Sequence, residues 1–314
     1  MSRVRLVTCA AAILVVGWVL ARPEAARAVP SAPAASDAAM VSWGDCGDCH
    51  DVLAAELGST HHGRVGFAMK SDRGCETCHG AVGTTAAHMD DPENPEFQPR
   101  MDKLSTEQQN ATCLSCHENG NRLFWHGSKH EGRDVGCLSC HSVHSSQSED
   151  GQLQAASQTE QCFSCHKDIR ADIWKTSHHP IREGKISCTD CHNPHGAQSP
   201  KMVNAVSVNE QCYSCHTEKR GPFLWDHAPV RESCLNCHTP HGSNHLKLQR
   251  TSVPFLCQQC HSNTRHPGTL YDGFVVPTLE NPETGSNRLF NRACLDCHAA
   301  IHGSNHPSSP YLGH

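Results

Sequence analysis

Apolar side chains are in short supply in this chain of 314 residues, of which 37% are hydrophobic and only 5% aromatic. A chain of that size normally buries clusters of leucine and phenylalanine, so an ordinary hydrophobic core is excluded. Long apolar runs are also missing. The one such stretch, Leu6 to Leu20, is about 15 residues, short of the roughly 20 a membrane-spanning helix needs. No convincing β-strand alternation appears, and Pro, Gly, Ser and Asn punctuate the chain, so that Asp91 to Pro99 and Ser142 to Gln152 read as loops. Methionine is scarce, with six in the whole chain.

What the chain has instead is cysteine and histidine in one fixed pattern. Cys-x-x-Cys-His occurs ten times and uses 20 of the 21 cysteines. The motifs are Cys46, Cys49, His50; Cys75, Cys78, His79; Cys113, Cys116, His117; Cys137, Cys140, His141; and Cys162, Cys165, His166. They continue with Cys188, Cys191, His192; Cys212, Cys215, His216; Cys234, Cys237, His238; Cys257, Cys260, His261; and Cys294, Cys297, His298. Each reads as a c-type haem attachment site, in which both thiols bond the macrocycle and the adjoining histidine ligates iron from one face. Zinc ribbons would need the cysteine pairs to combine into fours and give no reason for the histidine. A disulfide framework fails on the same point.

Ten such sites predict ten covalent haem c groups, whose apolar faces replace the missing core. The expected fold is a multihaem cytochrome c: elongated, mostly irregular with short α-helices, few or no strands, and a core formed by a chain of ten haems. Without haem the chain should be largely unfolded.

Arg3 and Arg5 precede the apolar run, and Ala26-Arg27-Ala28 offers a cleavage site, the pattern of a secretory signal peptide over residues 1–28. Cys9 lies too early and follows Thr8, so it reads as discarded with the signal rather than lipidated. Processing moves the formal charge from −6 to −9. Haem propionates deepen that acidity and argue against nucleic acid or anionic lipid as partners. Residues 29–42 read as a flexible leader.

The remaining histidines reveal a repeat of two haems. Cys113 to His117 is followed by His130, then Cys137 to His141, then His144. The same order recurs from Cys162 with His179 and His195, and from Cys212 with His227 and His241. Glu160-Gln161-Cys162 matches Glu210-Gln211-Cys212, and Trp125, Trp174 and Trp225 each fall nine or ten residues after the second cysteine of their unit. This periodicity predicts a decahaem domain over 43–308 with units 43–104, 105–156, 157–206, 207–250 and 251–308, looser at both ends as a capped array requires, followed by a tail at 309–314. Ser105, Thr159 and Asn209 are expected to cap short helices that carry the first motif of units 2 to 4.

Ten irons need ten distal ligands. The repeat selects His62, His88, His130, His144, His179, His195, His227, His241, His266 and His302, leaving His61, His126, His178, His245, His306 and His314. His61 stands as an alternative to His62, His178 to His179, and His306 to His302. His144, His195 and His241 sit three residues after a motif histidine, too close to fold over the same haem, and so should serve a neighbour. No methionine recurs with the repeat, so bis-histidine ligation at low potential is expected. The tryptophans are expected to pack against porphyrin.

The ten motifs, together with Cys191-His192-Asn193-Pro194-His195-Gly196, Cys237-His238-Thr239-Pro240-His241-Gly242, Glu218-Lys219-Arg220-Gly221-Pro222 and Ile301-His302-Gly303-Ser304-Asn305-His306-Pro307, resemble the MtrA/DmsE family of decahaem cytochromes over roughly residues 43–308. That resemblance implies a bis-histidine haem wire held in an outer-membrane β-barrel of the MtrB type. It also implies a periplasmic or inner-membrane cytochrome as partner and, in some relatives, an outer-surface multihaem cytochrome or reductase. Electrons would then pass between periplasm and cell exterior, in metal or dimethyl sulfoxide respiration or in ferrous iron oxidation. Independently, a polar irregular wire cannot face lipid and needs a sheath, which a large barrel provides. Two other readings share the haem chemistry: a multihaem reductase of nitrogen or sulfur oxyanions, and a free periplasmic shuttle. The enzyme needs an open coordination position, yet no motif replaces its histidine with lysine, and distal candidates outnumber haems by six. No catalytic residue is expected.

Overall fold

Three short helices begin where a serine caps them and end within a haem motif. The computed structural model describes residues 46–64, 75–79, 87–94, 100–261 and 293–313, all within one structural unit, Ala39–His314. The signal and leader expectations and His266 lie outside the described residues. Thr106–Leu114 starts at Ser105, which forms a reciprocal capping box with Gln108. Gln158–Phe163 and Val208–Tyr213 start at Ser157 and Ser207, whose side chains accept from the backbone N–H of Glu160 and Glu210. Thr159 and Asn209 therefore lie inside their helices rather than at the caps, because a serine two residues upstream already reaches the third N–H.

Asn209 has another task. Its Oδ1 accepts the backbone N–H of Cys234 at 2.8 Å, and its Nδ2 donates to the carbonyls of Val230 and Arg231. Asn110 accepts from Cys137 in the same way at 2.9 Å, and Gln158 from Thr189 at 3.1 Å. One polar side chain on the first-motif helix thus holds the start of the second motif in each of units 2 to 4. The helices themselves stop one residue after the first cysteine, so most of each first motif lies beyond the helix end rather than on a helical face.

No strand occurs among the described residues; backbone pairing is confined to isolated bridges. Three of these repeat: His141 with Leu153, His192 with Val203, and His238 with Gln249. In each, the chain after the second motif turns back through a left-handed residue, such as Gln152, Lys201 or Lys247. The last residues repeat this device. Ala300 donates to Leu312, Ser309 is 3% exposed, and Leu312 is left-handed. Residues 309–313 are therefore the return loop of the last unit and not a free tail.

Neighbouring units interlock through backbone. Ser177 pairs with Ser243, and Trp225 with Ser304, by reciprocal N–H to carbonyl bonds of 2.8 to 3.0 Å. The recurring His-Gly step explains itself here. A Cβ on Gly196, Gly242 or Gly303 would collide with the backbone of Phe124, the backbone of Asp172 or the ring of Phe223 respectively, each in the unit before, and φ is +112° at Gly196 and +138° at Gly303.

Polypeptide packing alone leaves little core. Among the described residues only Leu114, Trp125, Phe163, Ile173 and Val203 are buried hydrophobics, and none is fully enclosed.

Candidate functional site

All ten motifs adopt one turn. In each, the histidine N–H donates to the carbonyl of the first cysteine at 2.9 to 3.0 Å, which brings both thiols and the imidazole to one side. None of the twenty motif cysteines is joined to another by a disulfide.

Nine motif histidines face one further histidine each, ring centre to ring centre at 5.9 to 6.3 Å. The pairs are His50 with His88, His79 with His144, His117 with His62, His141 with His195, and His166 with His130. The series continues with His192 and His241, His216 and His179, His238 and His302, and His261 and His227. An iron between two imidazoles requires about 6 Å, from two metal–nitrogen bonds of about 2 Å and roughly 1 Å within each ring. These side chains fit an axially ligated haem.

The tautomers fit as well. Nδ1 of His141, His192, His238 and His298 lies 2.6 to 2.9 Å from the carbonyls of Gly151, Lys201, Lys247 and Tyr311, all in the return loops. On the opposite side, Nδ1 of His130, His179 and His227 lies 2.6 to 3.0 Å from the carbonyls of Pro194, Pro240 and Ile301. With Nδ1–H donating, Nε2 keeps the lone pair that binds metal. Burial also favours the neutral ring: it pushes His195 down to about 4, and holds His117, His144, His241 and His302 below the usual histidine range. Three of these carbonyls belong to the residue just before a facing histidine, Pro194 before His195, Pro240 before His241 and Ile301 before His302; the spacing of histidines alone does not reveal such acceptors.

The pairing crosses unit boundaries. First motifs of units 2 to 5 face the earlier distal histidine of the preceding unit; second motifs of units 1 to 4 face the later distal histidine of the following unit. His50, with no unit before it, faces His88 of its own unit. The thiols alternate likewise. Within units the first cysteines meet, as Cys113 with Cys137, Cys162 with Cys188 and Cys212 with Cys234. Across boundaries the second cysteines are neighbours, as Cys140 with Cys165, Cys191 with Cys215 and Cys237 with Cys260.

Where two histidines competed on sequence, their surroundings differ. His178 has Nδ1 on the carbonyl of Lys175 and Nε2 on Glu183 at 3.1 Å, so both nitrogens are engaged. His306 Nδ1 meets Ser308, and His61 is exposed. His126 is bound to Glu131 at 2.8 Å. The three recurrent tryptophans do not share one environment: Trp125 is buried with its ring 6.5 Å from that of His195, Trp225 donates to the carbonyl of His306, and Trp174 lies at the polypeptide surface under Arg182.

Comparison with known proteins decides the family. The chain is 43% identical over 244 residues to "Multiheme cytochrome MtrA" of Shewanella baltica (strain OS185), covering 76% of this chain and 70% of that protein. This chain belongs to the MtrA family. Two family models agree: the doubled CXXCH motif matches residues 126–171, 178–221 and 227–266, and cytochrome c554 and c-prime matches 84–142. As an MtrA-family member it is a multihaem c-type cytochrome that binds haem c covalently and transfers electrons. Each doubled-motif match spans a unit boundary, taking the second motif of one unit with the first of the next: Cys137 to His141 with Cys162 to His166, Cys188 to His192 with Cys212 to His216, and Cys234 to His238 with Cys257 to His261.

Proposed function

We propose that this MtrA-family chain carries ten haem c groups, each between a motif histidine and a distal histidine, and conducts electrons between periplasm and cell exterior inside an outer-membrane β-barrel of the MtrB type. The observation that carries the proposal is the series of nine facing imidazole pairs among the described residues, neighbours in the series being joined by adjoining thiols. Bound haem c supplies a reversible one-electron couple at each position. The protein's own residues hold seven of the imidazoles in the metal-binding tautomer, would hold the haem irons between the facing pairs, and place each site beside the next. A closed pair leaves no position for substrate, which favours a carrier over a reductase. Distal ligands are assigned as His62, His88, His130, His144, His179, His195, His227, His241 and His302, with His266 as the tenth by the order of the sequence. A signal peptide at 1–28 delivers the chain to the periplasm.

No helix of the described residues is long and apolar enough to cross a membrane, and irregular backbone is not tolerated in contact with lipid. A barrel lumen would supply the sheath. Terminal donors or acceptors include metal ions, dimethyl sulfoxide and ferrous iron, with a periplasmic or inner-membrane cytochrome at one end and, in an outward-running system, an outer-surface multihaem cytochrome at the other.

The experiment uses liposomes that enclose a reducible dye, with an electron donor outside, built with cytochrome alone, barrel alone or both. Rapid dye reduction is expected only with both. Equal rates with cytochrome alone, in vesicles that do not leak donor, would replace the conduit by a free shuttle. Intact mass gives the haem number, for which ten is expected.

A further inference from the structure

The segment that leaves the first motif of a unit carries a charge that changes from unit to unit, and it runs beside the distal histidine of that unit's second haem. In unit 2 the charge is Arg122, at the end of the turn Gly120–Arg122. Its Nε donates to the carbonyl of His117 at 3.0 Å, and two residues later Phe124 crosses Gly196, next to His195. Arg122 thus stands between the third and fourth centres. The arginine ion pairs of the described residues belong to Arg100, Arg182, Arg220 and Arg231, so no carboxylate there offsets Arg122.

Unit 4 repeats the arrangement with Lys219, at the end of Thr217–Lys219. Lys219 and His302 line one cavity of about 160 Å³, and the ion pair of Lys219 with Glu218 is long, at 3.8 Å, and solvent-exposed. Unit 3 differs. There Asp172 crosses Gly242 beside His241, and its carboxylate is balanced by Lys175 at 2.6 Å.

A ferric centre carries one more positive charge than a ferrous one, so a nearby cation that is unpaired or only loosely paired favours reduction, most of all where water is partly excluded. We propose that Arg122 and Lys219 are redox-tuning residues: Arg122 raises the potentials of the third and fourth haems, Lys219 raises that of the eighth, and the sixth, beside a neutralised pair, stays lower. Electrons then rest at the second haems of units 2 and 4 and pass over that of unit 3. This rests on the axial assignment above. The chemistry involved is only the gain or loss of one electron at each iron, exchanged with the neighbouring centre.

The test is anaerobic potentiometric titration of full-length holoprotein, followed in the visible bands, for wild type, Arg122→Gln, Arg122→Lys and Lys219→Gln. Arg122→Gln is expected to lower the reduction constant of two haems by roughly tenfold, about 59 mV each for a one-electron couple, with the others unmoved. Lys219→Gln should do so for one haem. Arg122→Lys should titrate as wild type, which a purely structural role of the guanidinium fork would not allow. Superimposable curves for both glutamine variants, a uniform shift of every haem, or Arg122→Lys matching Arg122→Gln would each overturn the proposal. If Arg122→Gln fails to mature, Lys219→Gln decides alone. A high-spin band in the wild type would instead bring down the axial assignment, and the tuning with it.

Discussion

At the scale of single residues, function depends on which imidazole nitrogen is free. His179 has Nδ1 on the carbonyl of Pro240 and its ring 6.3 Å from that of His216, whereas His178, one residue earlier, has both nitrogens occupied. Replacing His179 by alanine is expected to open one iron, giving a high-spin signal of about one tenth of the total haem and binding of carbon monoxide. His178→Ala should leave the low-spin spectrum intact. His195→Ala and His126→Ala form a second such pair, read by the same electron paramagnetic resonance measurement; equal spectra for the members of either pair would refute the distal assignment there. His227→Met should raise the potential of one haem, because a thioether favours ferrous iron. A redox titration identical to wild type would remove His227 from the ligand set.

At the scale of elements, the turns position the sites and the helices contribute little beyond a cap. Ser207→Ala removes a cap and should cost about 1 kcal/mol in thermal or denaturant unfolding of the holoprotein. Asn209→Ala should cost more, about 1–3 kcal/mol, since it leaves the part-buried N–H of Cys234 unpaired as well as two carbonyls. If the two variants lost equal stability, Asn209 would be no more than a helix residue. Gly242→Ala places a methyl group against the backbone of Asp172 and should loosen the crossing that sets His241 opposite His192. The expected readout is a high-spin fraction of one haem in ten without loss of haem from the intact mass. The helices were legible in the sequence because capping residues and a few helix formers precede each first motif. Their starts were read two residues late in units 3 and 4, since Thr and Asn are adequate caps until a serine upstream takes the third N–H. The return loops were read only as loops, because carbonyl acceptors carry no side-chain signature.

At the scale of the whole molecule, the units are not independent beads. Eight of the facing pairs join different units, so bound haems would cross-link each unit to its neighbours. With only five buried hydrophobic side chains among the described residues, the polypeptide adds little to that cohesion beyond the few backbone bonds between units. Protein made without haem attachment is therefore expected to show a far-ultraviolet circular dichroism spectrum close to that of an unfolded chain and to be degraded by protease at once; native-like helix content would show that the frame folds without its cofactor.

The sequence by itself determined the chemistry: ten attachment motifs, too little apolar material for any other core, a surplus of histidine and the absence of a recurring methionine together define a multihaem c-type cytochrome. It also pointed His144, His195 and His241 toward a neighbouring site, because three residues leave little chain to fold back over the same porphyrin. Only the tertiary structure decided which neighbour, in which direction, and that His50 turns to His88 at the start of the array. Those pairings depend on backbone crossings such as Phe124 over Gly196 and on Nδ1 bonds such as His130 to the carbonyl of Pro194, 64 residues away. Spacing along a chain fixes what is close in sequence, whereas a ligand on the far face of an iron is brought there by the folding of another unit.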